Sequence, residues 1–180
     1  MSAALIWPVL VSAVVLFFAS FLSWMVLQLH KQDWRKLPHE EEIMQAVKKA
    51  DPPVGSYMFP HCGDHATAAT PEFQARYKAG PNGIVTILAP VNMGQNLGLT
   101  FLYFLAVSFG LAYLASIAFP SGADFLNVFR FVFTAAFMTF LAGMVQHAIW
   151  FRPRIAGHVI ESLGYAALTG VVFASFWPAA

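Results

Sequence analysis

Apolar residues run from Ser2 to Leu29 without one charged side chain, and they return in three later runs: Leu97 to Ala123, Phe125 to Phe151, and Ile155 to the C-terminus. The hydrocarbon core of a bilayer takes about 20 apolar residues as a helix, so every run is long enough to cross it. Breaker residues separate the later three, with Pro120 and Gly122 after the second run and Arg152-Pro153-Arg154 after the third. The pattern predicts an all-α fold: an integral membrane four-helix bundle with spans at 1–29, 96–119, 125–151 and 155–179. Between the first two spans, residues 30–95 form a loop subdomain of short helices.

Two helices in that loop carry recognisable ends. The first opens at Pro38 with Glu40, Glu41 and Glu42 in its first turn and closes with Lys48 and Lys49, an order that complements the helix dipole. The second has Thr70 as N-cap, Pro71 at the first helical position and Gly80 as its stop. The stretch Gly83 to Leu88 reads as a short strand or an interfacial segment, and Tyr57-Met58-Phe59 as an interfacial anchor or as packing for the loop helices.

Composition narrows the class. Of 180 residues, 58% are hydrophobic and 11% charged, and the mean hydropathy is +0.62, too little polar surface for a water-soluble globule of this size. A net charge of +1 supplies no electrostatic footprint for nucleic acid. One cysteine, Cys62, excludes an internal disulfide.

Charge also orients the spans. Lys31, Arg35, Lys36, Lys48, Lys49, Arg76 and Lys78 lie in the long loop, and Arg152 and Arg154 lie in the short turn that four spans place on the same side. By the positive-inside rule that side is cytoplasmic, so both termini face the periplasm or exterior of a bacterial inner membrane. Because Lys31, Arg35 and Lys36 follow the first apolar run and none precedes it, that run reads as a retained anchor and not a cleaved signal.

Candidate chemistry concentrates in the hairpin of spans three and four. A tight turn centred between Arg152 and Pro153 would set His147 and His158 at one depth, with Glu161 one turn further in, about 9 Å from the start of the span. Small residues let helices approach closely in lipid, so the face bearing Ala136, Gly143 and His147 is expected to meet the face bearing Gly157, Glu161 and Gly164. A hydrogen-bonded lock joining these histidines, Glu161 and Arg152 or Arg154 is the structural reading. A proton or ion pathway through His147, His158, Glu161 and Arg130 is the functional one, because ionisable groups inside a membrane are costly. A metal site on His147, His158 and Glu161, or a bis-histidine haem, completes the set. His61, Cys62 and His65 are a second candidate metal set, although the same letters, with Pro60, Gly63 and Asp64, also describe a turn. Arg130 reads as snorkelling to the exterior interface, and Phe129, Phe133, Phe137 and Phe140 as lipid or partner contacts.

At Tyr57-Met58-Phe59-Pro60, Cys62, Lys78-Ala79-Gly80-Pro81 and Asn92-Met93-Gly94-Gln95-Asn96-Leu97 the chain resembles a group of small bacterial inner-membrane proteins with one span, a cytoplasmic loop and three further spans. The resemblance implies topology and no activity. No phosphate-binding loop, dinucleotide turn or nucleophile elbow occurs. The expected role is therefore non-catalytic: an accessory or scaffold subunit of an inner-membrane assembly, or a homo-oligomer. Its partners are the lipid bilayer and other membrane subunits or copies of itself, and the motifs specify no cofactor. The alternatives are a small channel or proton-coupled transport protein, and a haem- or metal-binding membrane protein.

Overall fold

A computed structural model describes residues 3–180. In chain order the elements are a 3₁₀ turn Ala3–Leu5, α1 (Ile6–Phe21) continuing into a π-helical turn Leu22–Val26, α2 (Glu40–Ala50), β1 (Gly55–Phe59), α3 (His65–Ala68), α4 (Pro71–Ala79), β2 (Gly83–Ile87), α5 (Met93–Ala118), α6 (Phe125–Phe151) and α7 (Ala156–Ser175). The chain up to Arg35 together with Met93–Ala180 makes one compact unit, and Lys36–Asn92 makes the other.

Four helices of the first unit, Ala3–Val26, Met93–Ala118, Phe125–Phe151 and Ala156–Ser175, are long and apolar enough to cross a membrane. They define the class of the molecule: a multi-pass membrane protein of mostly helical fold. Helices are the natural solution here, because hydrocarbon offers backbone N–H and C=O groups no partner outside the segment itself. The seam between α6 and α7 is the most extensive, α1 packs on α5 and α7, and α5 and α6 share little.

Small side chains set the spacing at the seams. Ala112, Ala115, Ala136 and Ala166 are fully buried in one cluster with Val128, Val132 and Phe173. Phe129, Phe133, Phe137 and Phe140 pack against these clusters and are half-buried, so they line the bundle more than they face lipid. Gly170 sits directly against Phe129: a β-carbon there would lie 2.9 Å from the ring and 3.3 Å from the Phe129 carbonyl oxygen. At the same end Trp177 Nε1 donates to the Pro120 carbonyl (3.0 Å) and the Gly122 N–H to that of Pro178 (2.8 Å).

The Phe129–Gly170 contact fixes the register of the hairpin. At the other end of the hairpin His147 and His158 have different ring partners, His158 lying beside His30 and His147 beside Phe151. The expected contact of the two glycine-bearing faces does not form: added β-carbons at Gly143 and Gly164 would meet nothing within 4 Å. A small residue permits close approach, but which partner arrives is decided by the best-filled seam, here around Ala136 and Gly170.

The second unit corrects the all-α expectation. Residues 83–87 do form a strand, and its partner is the segment read as an anchor or packing: β1 and β2 pair antiparallel with Tyr57 opposite Val85 and Phe59 opposite Gly83. The Phe59 ring lies across Gly83, where a β-carbon would come within 2.6 Å of it, a common way for an aromatic residue to cover a strand glycine. Helix α4 has the caps its sequence announces, with Thr70 Oγ1 accepting from the Phe73 N–H at 3.3 Å and Gly80 at φ +63°.

Gly170→Ala should destabilise the bundle by about 1–3 kcal/mol, because the Phe129 ring must move within a packed seam. Gly143→Ala should be neutral or gain up to about 1 kcal/mol from helix propensity. Thermal unfolding of the two variants in mild detergent checks both values, and equal destabilisation would contradict the register.

Candidate functional site

At the end of α1 the helix widens before it stops. The Leu27 N–H bonds the Leu22 carbonyl (2.8 Å), the Leu29 N–H reaches back to Ser23 (3.1 Å), and Gln28 takes the left-handed conformation at φ +50°. A π-wide turn rotates the residues beyond it about the helix axis, and such turns recur at functional sites. The chain then folds through two further turns, from the Lys31 N–H to the Gln28 carbonyl and from the Asp33 N–H to that of His30, both 3.0 Å. This lays Leu29 and His30 over the start of α7. Gly157 is the residue that admits them, since a β-carbon there would lie 2.8 Å from the Leu29 carbonyl oxygen and 3.2 Å from His30 Nδ1.

His30 is the centre of the resulting cluster. It is 2% exposed, stacked on Trp24 with ring centroids 4.1 Å apart, and 4.5 Å from the His158 ring. Its Nδ1 meets Asp33 Oδ2 at 2.7 Å and its Nε2 meets Glu161 Oε2 at 3.3 Å. The other oxygen of Glu161 accepts a 2.6 Å hydrogen bond from the Tyr165 hydroxyl, and Tyr165 is itself held by edge contacts with Phe104 and Phe140. His158 Nε2 lies 3.8 Å from Asp33 Oδ2. Among the described residues, Asp33 Oδ1 is buried with no hydrogen-bond partner.

Two features of this geometry are chemically informative. Each nitrogen of His30 faces a carboxylate oxygen, and a neutral imidazole has only one N–H to give, so one of the two contacts takes either a further proton, on the ring or on a carboxyl, or another cation. In addition, two carboxylates share the site with two imidazoles, and among the described residues neither forms an ion pair with Lys or Arg. The guanidinium of Arg154 is engaged by Gln32.

His158 and Glu161 thus belong to one site, but His147 does not. It is exposed near the end of α6 and packs on Phe151, one turn along, at 4.6 Å between ring centroids. The ligand atoms that lie within 4.8 Å of one another are those of His30, His158 and Glu161. Arg130 is exposed on the first turns of α6, in a groove with Asn127, Phe131 and Thr134. His61, Cys62 and His65 form no such group among the described residues. Cys62 Sγ donates to the Asp64 carbonyl (2.8 Å) and Asp64 Oδ1 caps α3 by accepting from the Thr67 N–H (2.6 Å). Sequence reasoning does not single out His30, Asp33 or Tyr165. Their signal in the chain is slight: a histidine and an aspartate three apart just past the first apolar run, at the membrane end that four-span topology shares with His158.

The chain matches no family model, no curated protein and no solved structure. The geometry of the site is therefore the ground on which its function is read.

Gly157→Ala places a methyl group against a main-chain oxygen, so His30 must leave Glu161; a loss of about 1–3 kcal/mol is expected, read as a lower unfolding temperature in detergent. In the loop unit, the backbone hydrogen bond from Thr67 holds the Asp64 carboxyl below its ordinary value of 3.8. The cap is therefore complete above about pH 4 and lost only as the pH falls through the depressed value. Hydrogen exchange at the Thr67 amide should show protection persisting below pH 4 in the wild type and absent at every pH in Asp64→Ala.

Proposed function

We propose that this is a non-catalytic multi-pass membrane protein that takes up and releases a cation at the cluster of His30, Asp33, His158 and Glu161, acting as a small ion-coupled transport protein. The observation that carries the reading is the buried His30 ring with a carboxylate at each nitrogen. Two carboxylates whose ion-pair partners among the described residues are imidazoles, and not Lys or Arg, can exchange the protons of those rings for another cation, and at the margin of the hydrocarbon an uncompensated charge is expensive. The cluster joins the end of α1 to the start of α7, so the charge it holds bears directly on whether those ends stay together. A helix contact that depends on ion occupancy is one element that ion-coupled transport uses.

The positive-inside rule puts this end of the bundle at the cytoplasmic face of a bacterial inner membrane, with the loop unit on that side and both termini exterior, because Lys31, Arg35, Lys36, Arg152 and Arg154 flank it. An accessory or scaffold role, or self-association, is the second reading. It rests on outward apolar side chains such as Trp7, Phe18, Ile117 and Met138, which the bilayer by itself can cover.

The test is cation uptake into liposomes holding the full chain, followed with entrapped proton- and metal-sensitive dyes. Wild-type vesicles should outpace protein-free ones. Glu161→Gln should lower the rate roughly tenfold or more, the scale of a lost charged partner. Uptake no faster than in protein-free vesicles, or a variant as fast as the wild type, would reject the reading.

A further inference from the structure

The cluster is built as a metal site is built, and we infer that His30 Nε2, His158 and Glu161 bind one divalent first-row transition-metal ion such as Zn²⁺ or Co²⁺, with Asp33 and Tyr165 orienting two of the ligands. The inference rests on the cation reading above and names the cation. Tetrahedral ligands at about 2.0–2.2 Å from a zinc ion stand about 3.3–3.5 Å from one another. The His30 Nε2 to Glu161 Oε2 separation, 3.3 Å, already has that length. All three ligand atoms lie within 4.8 Å of one another, leaving His158, the most exposed of the three at 25%, a short approach to make.

The surroundings strengthen the assignment. A metal-bound histidine characteristically donates its other ring N–H to a carboxylate, which fixes ring orientation and tautomer. Asp33 does this for His30 at 2.7 Å, and the Tyr165 hydroxyl does the equivalent for Glu161 at 2.6 Å. An ion in place of the proton between His30 and Glu161 resolves the conflict at that imidazole, because Nε2 becomes a ligand and Nδ1 keeps its N–H for Asp33. The ion also brings positive charge to the two carboxylates without an added proton on either ring. Ligand type selects the metal class: two imidazoles with one carboxylate suit zinc, iron, cobalt or manganese better than the hard cations sodium, potassium or calcium. A bis-histidine haem does not fit this pair. With each ligating nitrogen about 2 Å from the metal on opposite faces of a macrocycle, the axial ring centroids would stand about 6 Å apart, whereas these are 4.5 Å apart.

The test strips the purified full-length protein in detergent with a chelator and titrates it with Co²⁺ alone, following visible d–d absorption, with Zn²⁺ as competitor. One Co²⁺ per chain with the intense bands of a low-coordinate site, displaced by Zn²⁺, is expected. His158→Ala should abolish those bands. Asp33→Asn, which keeps the shape of the side chain and removes its charge, should weaken affinity about 10–100-fold. His147→Ala should change nothing. Helical circular dichroism establishes that each variant is folded. Absence of binding by the folded wild type, or binding indifferent to both His158→Ala and Asp33→Asn, overturns the metal assignment. If liposomes still take up protons or alkali cations through Glu161 in that case, the ion-coupled reading stands without the metal; if uptake is also absent, both fall.

Discussion

Hydrocarbon supplies no hydrogen-bond partner, and much of this molecule follows from that single constraint. It makes helices of the four apolar runs, and these then pack at buried alanines and at Gly157 and Gly170, where small residues allow close approach. It also confines most of the polar chemistry of the membrane unit to the margins, where a side chain can reach either water or another polar group. The cluster around His30 lies at one such margin, and it exists because α1 ends there in a widened turn that doubles back. If α1 ran on as a regular helix, His30 would continue along its axis. The π-wide closure and the left-handed Gln28 instead carry it across onto α7.

Two glycines decide which side chains meet at the helix seams, and they do so at opposite ends of α7. Gly170 accepts Phe129 and so fixes how α6 and α7 meet at that end of the hairpin. Gly157 accepts the Leu29 carbonyl and the His30 ring, so a histidine from α1 occupies the place next to His158 and Glu161 that the hairpin alone would have assigned to His147. The exchange alters the chemistry. His147 comes with an aromatic neighbour only, whereas His30 brings Asp33 with it at 2.7 Å and is covered by Trp24. A pair of histidines sharing a carboxylate becomes a histidine clamped between two carboxylates with a second histidine alongside. Two carboxylates whose ion-pair partners among the described residues are imidazoles, with no Lys or Arg, are the physical basis of the proposed cation site.

Much of this is legible from residue order, and the reasons for the exceptions are specific. Four uncharged runs announce four membrane helices by length and hydropathy alone, because the requirement is local to each run. Thr70, Pro71 and Gly80 announce the ends of α4 for the same reason, since caps act within one turn. His158 and Glu161 stand out as ionisable letters in apolar sequence. Their partner His30 is 131 positions from Glu161, and nothing periodic links them. Likewise β2 can be read as a strand, but its mate β1, about 28 positions earlier in register, cannot. Pairing between distant segments depends on which surfaces fill each other best, and that is a property of the packed whole. The order of residues is enough to give the solvent this protein lives in, the number of its membrane helices and which of their letters are chemically unusual, because each of those depends on interactions within a helix or with the bilayer. Which of those letters meet is settled only in the packed bundle, because the register of α6 on α7 and the fold-back of α1 are set by close contacts at Gly170 and Gly157 between segments far apart in the chain.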